Sequence, residues 1–267
     1  MFFVCYTRYM NTQWSKRRRV VYGAGFLVAL VLLFTYFYRD TLFPTPTCSD
    51  GKQNGYESGV DCGGTCSLRC AQEVIPISVS WARAVRTSST TYDLVALLSN
   101  KNIDNAPRGL SYVFTVYTKD GKQMLAVQGT TIVPVDGDFP VIKQNVILPE
   151  EPGEVSATVS ANVPHYKALE KPTEPTIRVS NTRFEAGSIS RVYARITNTK
   201  RVSLRSVPVR VLLYEASGNV FGVGETIIPE LGKESAEDVV FTWKNAFEQT
   251  PTKITVVPIL DPFLGSQ

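Results

Sequence analysis

Cys48, Cys62, Cys66 and Cys70 crowd into 23 residues of a chain whose one other cysteine is Cys5. Thiols so close together do one of two things: they pair as disulfides in an oxidising compartment, or they hold zinc as thiolates. Zinc ribbons and knuckles use C-x2-C pairs or added histidines, and the one histidine, His165, is far away in sequence. Two disulfides are therefore expected, with three pairings open. Among these cysteines lie Asp50, Asn54, Glu57 and Asp61. Their hard oxygens could converge on Ca2+, which takes about six to eight oxygen ligands, although they lack the D-x-D-x-D-G spacing of an EF-hand. In the alternative, Asp and Asn cap turns, Gly supplies positive φ and the disulfides hold the segment together. Calcium is the only cofactor the chain suggests.

Catalysis has little to work with. His165 sits between prolines, so no Ser-His or Cys-His arrangement is suggested, and it reads as a surface residue. Asp136, Asp138, Glu150, Glu151 and Glu154 could hide a carboxylate pair, but they fall in Pro/Gly-bearing turns where solvated acids are the default. Neither a P-loop nor a GxGxxG after a strand occurs. Trp81 and Trp243 read as core anchors. The chain is expected not to be an enzyme.

The elements that carry the cysteine segment begin at the membrane. From Val20 to Tyr38 the sequence has no charge and would reach about 28 Å as a helix, close to the apolar thickness of a bilayer. Lys16, Arg17, Arg18 and Arg19 precede it, which predicts a cytoplasmic N-terminus by the positive-inside rule. The competing reading is a cleaved signal peptide, but the apolar stretch is long and no A-x-A site follows, so an uncleaved anchor is expected whether the start is Met1 or Met10. Without Arg8 and those four residues, the remaining 23 basic residues face 24 acidic ones, so there is no electrostatic footprint for nucleic acid.

Beyond Cys70, runs such as ISVSWARAV, YDLVALLS and LSYVFTVYT are rich in Val, Thr, Tyr and Phe and are separated by turn signals. The plan then repeats. YVFTVYTKDGK from Tyr112 lines up with VRVLLYEASGN from Val209, setting Tyr112, Phe114 and Val116 against Val209, Val211 and Leu213. One strand earlier, Leu94, Ala96, Leu98 and Asn100 match Val192, Ala194, Ile196 and Asn198. An all-β fold follows: two antiparallel β-sandwiches behind one transmembrane helix and a small disulfide-rich segment. The expected divisions are a basic tail (1–19), the helix (20–38), a spacer stiffened by Pro44 and Pro46 (39–47) and the cysteine segment (48–70). After them come a first sandwich (74–162), a linker (163–175) bearing Pro164, Pro172 and Pro175, and a second sandwich (176–262), the two strung like beads.

Two resemblances accompany these residues. The cysteine segment resembles a C-D-G-x-x-N-G-x-E-T-G-V-D-C-G-G-x-C-x-x-C module of secreted and cell-surface proteins, with Ser58 in place of Thr and one extra residue between Cys66 and Cys70. Each repeat resembles an FxLYD-type domain through Phe114-Thr-Val-Tyr117 and Val211-Leu-Leu-Tyr214-Glu215, although neither has Asp directly after Tyr. That resemblance implies an immunoglobulin-like topology on bacterial envelope proteins, with no known catalytic role. A single-pass membrane protein is expected, with its C-terminal region outside the cytoplasm at the cell envelope, binding a protein or surface glycan. The alternative is a structural accessory subunit of a cell-envelope or secretion complex.

Overall fold

The computed structural model describes residues 11–39, 48–161, 165–168 and 176–263. Cys5, Pro44, Pro46, Pro164 and the stretch Lys171 to Pro175 lie outside the described residues. Helix α1 (Asn11–Phe37) takes in the basic residues and most of the apolar run without a break. Its stretch Lys16–Phe37 has a mean hydropathy of 2.2 and none of it is buried against the rest of the protein. A helix apolar on all sides has no stripe with which to join a soluble core, and 22 residues are long enough to cross a membrane.

The rest is mostly antiparallel strand. One unit comprises β2 (Ser78–Arg86), β3 (Thr91–Asn100) and β7 (Gly137–Ile147) in the order β2-β3-β7, with β5 (Leu110–Tyr117), β6 (Gln123–Thr131) and β8 (Glu154–Ala161) in the order β6-β5-β8. The other comprises β10 (Ile177–Glu185), β11 (Ser190–Asn198) and β14 (Ala236–Trp243) in the order β10-β11-β14, with β12 (Leu204–Tyr214), β13 (Val220–Leu231) and β15 (Lys253–Pro258) in the order β13-β12-β15. The two sets correspond strand for strand.

Each pair of sheets turns its apolar faces to one shared core. Leu94, Ala96 and Leu98 meet Leu110, Tyr112, Phe114 and Val116 in the first unit. Val192, Ala194 and Ile196 meet Val209, Val211 and Leu213 in the second. The correspondence extends to polar detail. The fully buried Asn100 donates from Nδ2 to the carbonyls of Asn105 and Pro134, both at 2.9 Å, and accepts from the Asn102 amide at 3.0 Å. Asn198, also fully buried, donates to Val202 at 2.8 Å and Gly232 at 2.9 Å and accepts from the Lys200 amide at 2.9 Å. In both cases the far carbonyl lies 34 residues downstream. The hairpin turns match as well: Gly121 and Gly218 have φ of +82° and +83°, a region open to Gly because it has no Cβ, and their amides donate to Thr118 and Glu215.

The units are not separate beads. The outer face of β2-β3-β7, through Val85, Val95 and Ile142, packs on Leu212, Val220 and Val223 from the outer face of β13-β12-β15, with Trp81, Leu97 and Tyr214 around them. Trp81 is thus an anchor between the units, while Trp243 packs on the second core. Ile259, just past β15, is buried in the first unit's core. Six apolar side chains removed from water, at about 1.5–3 kcal/mol each as an upper range, are enough to hold two units together.

The stretch expected as a linker contains a strand. His165–Ala168 form β9, which lies between β1 (Leu68–Cys70) and β4 (Asn105–Pro107) in a small antiparallel sheet. Three short segments with no core of their own satisfy their backbone groups there by pairing. The sheet ties the end of the cysteine segment to the first unit.

Candidate functional site

The four clustered cysteines form two disulfides, Cys48–Cys66 and Cys62–Cys70. Cys62, Cys66 and Cys70 are buried in a segment otherwise too polar to make a core, so these links supply most of its order. The backbone is drawn in tightly around them. Gly64 has φ of +58°, and a Cβ there would meet the Tyr56 carbonyl oxygen at 1.6 Å, so no other residue fits.

The four oxygen-bearing residues come together, with most of their oxygens facing the backbone. Asp61 accepts from the Asp50 amide (Oδ1, 2.9 Å) and the Gly51 amide (Oδ2, 2.9 Å). Glu57 Oε2 accepts from the Asn54 amide at 3.2 Å and the Asp61 amide at 3.3 Å. Asn54 Nδ2 donates to Asp50 Oδ2 at 2.8 Å. Asn54 Oδ1 is buried with no hydrogen-bond partner among the described residues. These bonds are those of carboxylates closing turns. An ion would take Asp61 and Glu57 oxygens that already serve amides. Glu57 also lies beside the Cys48 and Cys66 sulfurs, but these are bonded to each other and offer no thiolate.

The acids weighed for catalysis do not converge. Asp136, Asp138, Glu150 and Glu154 are exposed, and Glu151 pairs with Lys119 at 2.6 Å in solvent, which holds its carboxyl below the usual range. His165 enters the fold through its backbone in β9.

A cleft of about 890 Å3 opens where the two units meet, a feature the sequence reading missed. Its first-unit wall includes Arg86, Asp93, Gln144 and Asn145, and its second-unit wall includes Phe221, Glu225, Trp243 and Phe247. The aromatic side is well fixed: Phe247 lies edge-on to Phe221 with centroids 5.1 Å apart and 5.3 Å from Trp243, whose Nε1 donates to the Val223 carbonyl at 2.9 Å. Asp93 is only 4% exposed and accepts from the Asn145 amide at 2.8 Å. Burial pushes its carboxyl above the usual range, with the Asn145 N–H opposing. The irregularity between Tyr92 and Leu94 in the β3–β7 register marks this position. An acid inside the apolar run Tyr92 to Leu98 was the available signal for it.

Arg210 is the second polar feature of the junction. It is 8% exposed on β12; Nη1 donates to the Pro140 carbonyl at 2.5 Å and to Thr131 Oγ1 at 3.4 Å in the first unit, and Nε donates to Glu225 Oε2 at 2.5 Å. A guanidinium spreads its donors in a rigid fork, which suits a cation that must satisfy partners in both units. Asn245 Nδ2 adds a bond to the Thr87 carbonyl at 3.3 Å, and Arg83 donates to Asn219.

No family model and no curated protein matches this chain. Among solved structures, a crystal structure of red sea bream transglutaminase aligns at 12% identity over 70% of this chain, with a TM-score of 0.23. The match takes in 31% of that structure, so the chain spans about a third of its length. The CBM22-1-CBM22-2 tandem domain from Paenibacillus barcinonensis Xyn10C aligns at 9% identity over 81% of this chain and 91% of its own, with a TM-score of 0.15. Overlap this slight assigns neither fold family nor activity.

Proposed function

We propose that this chain is a single-pass membrane protein that holds two immunoglobulin-like β-sandwiches outside the cytoplasm and binds a partner there without catalysing a reaction. The reading is carried by one juxtaposition: an apolar helix buried against nothing, followed within a dozen residues by a segment whose four cysteines are all oxidised. Persistent disulfides belong to exported regions. The basic residues Lys16 to Arg19 favour a cytoplasmic start and so an exported remainder. The cleft between the units, with an aromatic wall facing hydrogen-bonding groups, is the concave surface best suited to a partner.

Protease added to intact spheroplasts carrying the full chain tests the topology. Residues beyond the helix should be digested and the N-terminal tail protected. Survival of the C-terminal region with the membrane intact would place it inside and end this reading. Crosslinking in the same membranes then identifies what the exported region touches.

A further inference from the structure

Side chains alternate along β3: Tyr92, Leu94, Ala96 and Leu98 enter the first core, while Asp93 and Val95 share the face turned to the second unit. Opposite Asp93 the register places two residues of β7, Gln144 and Asn145, against one of β3. That bulge holds Asn145 at a φ of +58°, unusual for a residue with a Cβ, and turns its amide onto Asp93 Oδ1 at 2.8 Å.

A carboxylate only 4% exposed ordinarily has a counter-charge, because an unpaired ion is costly to take out of water. Asp93 has none among the described residues; burial and the Asn145 N–H are what act on its carboxyl. Its other oxygen, Oδ2, makes no hydrogen bond there either, yet is not enclosed by protein, so it opens on the cleft that Asp93 lines. The other charges lining the cleft do not serve it. Arg86 donates to the carbonyls of Ser88 and Ser89 at 3.2 and 3.1 Å, Glu225 accepts from Arg210, and the exposed Lys244 and Glu248 carry opposite signs. The missing partner has to come from outside the chain.

The second-unit wall says what kind of cation it is. Phe221, Trp243 and Phe247 are fixed against one another, and rings suit an organic cation on an apolar stem, whereas a metal ion asks for further oxygens. A guanidinium fork pairs best with both oxygens of a carboxylate, and Asn145 already uses one. The compact ammonium needs only the other. We infer that the cleft takes a lysine side chain of a partner protein, with its ammonium on Asp93 Oδ2 and its methylene stem along Phe221, Trp243 and Phe247. Lysine stems bury against apolar surface in this way while the head stays among polar groups. At about 890 Å3 the cleft is larger than one amine fills, and Gln144, Asn145 and Thr226 on its lining offer hydrogen bonds to the backbone that carries the lysine. This deepens, and rests on, the reading of the cleft as the binding surface.

The test titrates the full chain in detergent at neutral pH with the peptide acetyl-Gly-Lys-Gly-amide and follows the Trp243 indole N–H resonance. One anchoring group should saturate at about 1 mM. The norleucine peptide, which has the same stem without the charge, should bind at least tenfold more weakly, and the arginine peptide and the free diamine cadaverine more weakly than lysine. Asp93→Asn, which keeps an oxygen for the Asn145 amide, should bring lysine down to the norleucine level, while Glu248→Gln should change it less than twofold. Equal binding of lysine and norleucine, no saturable shift, an unchanged affinity in Asp93→Asn, or an equal loss in Glu248→Gln would each overturn the inference. Cadaverine binding as tightly as the lysine peptide would put a free amine in place of a partner's lysine and overturn it as well. Binding in detergent does not depend on orientation in the membrane, so its failure leaves the exported topology standing, and protection from protease in spheroplasts would end the topology without touching the cleft's chemistry.

Discussion

Replacing Asn198 by Ala should cost this protein roughly 3–5 kcal/mol, a large share of the about 5–15 kcal/mol that stabilises a typical domain. The side chain is fully buried and closes the loop after β11 from three directions: the Val202 carbonyl, the Gly232 carbonyl and the Lys200 amide. Alanine leaves all three without their partner, and each such group costs about 1–3 kcal/mol where water cannot replace the bond. Partial water access at the loop places the total toward the lower half of that sum. Asn198→Asp is the sharper variant, because it keeps an acceptor for Lys200 but turns a carboxylate toward two carbonyls, and it should cost at least as much. Urea unfolding of the full chain in detergent, followed by the fluorescence of Trp81 at the junction and Trp243 in the second core, reads the midpoint shift at constant slope. Asn100→Ala should cost about the same, since its bonds to Asn105, Pro134 and Asn102 have the same geometry. A loss under about 1 kcal/mol in either variant would refute the idea that a buried amide closes each unit.

Partial reduction with stepwise alkylation should recover Cys48–Cys66 and Cys62–Cys70, and no other pairing, from protein taken out of its native compartment. A calcium titration separates the two roles of Asp50, Asn54, Glu57 and Asp61: as turn formers they give no rise in melting temperature at millimolar Ca2+, whereas a rise abolished by Asp61→Asn would reinstate the ion. For Asp93 the folded pKa is raised, so the folded state binds the extra proton, and stability falls as pH rises from the ordinary carboxylate range through the folded value. Asp93→Asn keeps an oxygen for the Asn145 amide and removes that fall. The variant should therefore be the more stable form at neutral pH and lose its advantage on acidification, and an identical pH profile in both proteins would count against a buried charge.

Much of the local structure was legible because it depends on short-range patterns. An uncharged stretch from Val20 to Tyr38 can be little else than an apolar helix, since the length of the run alone decides it. Period-two alternation put Tyr112, Phe114 and Val116, and Val209, Val211 and Leu213, on buried faces, and all six are buried. The matched Asn100 and Asn198 marked corresponding positions in sheets of the same order. Alternation within a strand says which residues share a face, but not what lies on the other face. Asp93 to Ala96 and Val209 to Leu213 are buried without interruption because one unit stacks on the other, and only the packed molecule shows which face meets which. Apolar residues of both parities in Tyr92 to Leu98 and Val209 to Leu213, interrupted by Asp93 and Arg210, are the composition of strands covered on both sides. Disulfide pairing, the strand at His165, the Arg210 bridge and the cleft around Asp93 lie further out of reach. Each joins segments distant along the chain, and their contacts are set by the relative placement of whole sheets, a long-range property that no local spacing encodes.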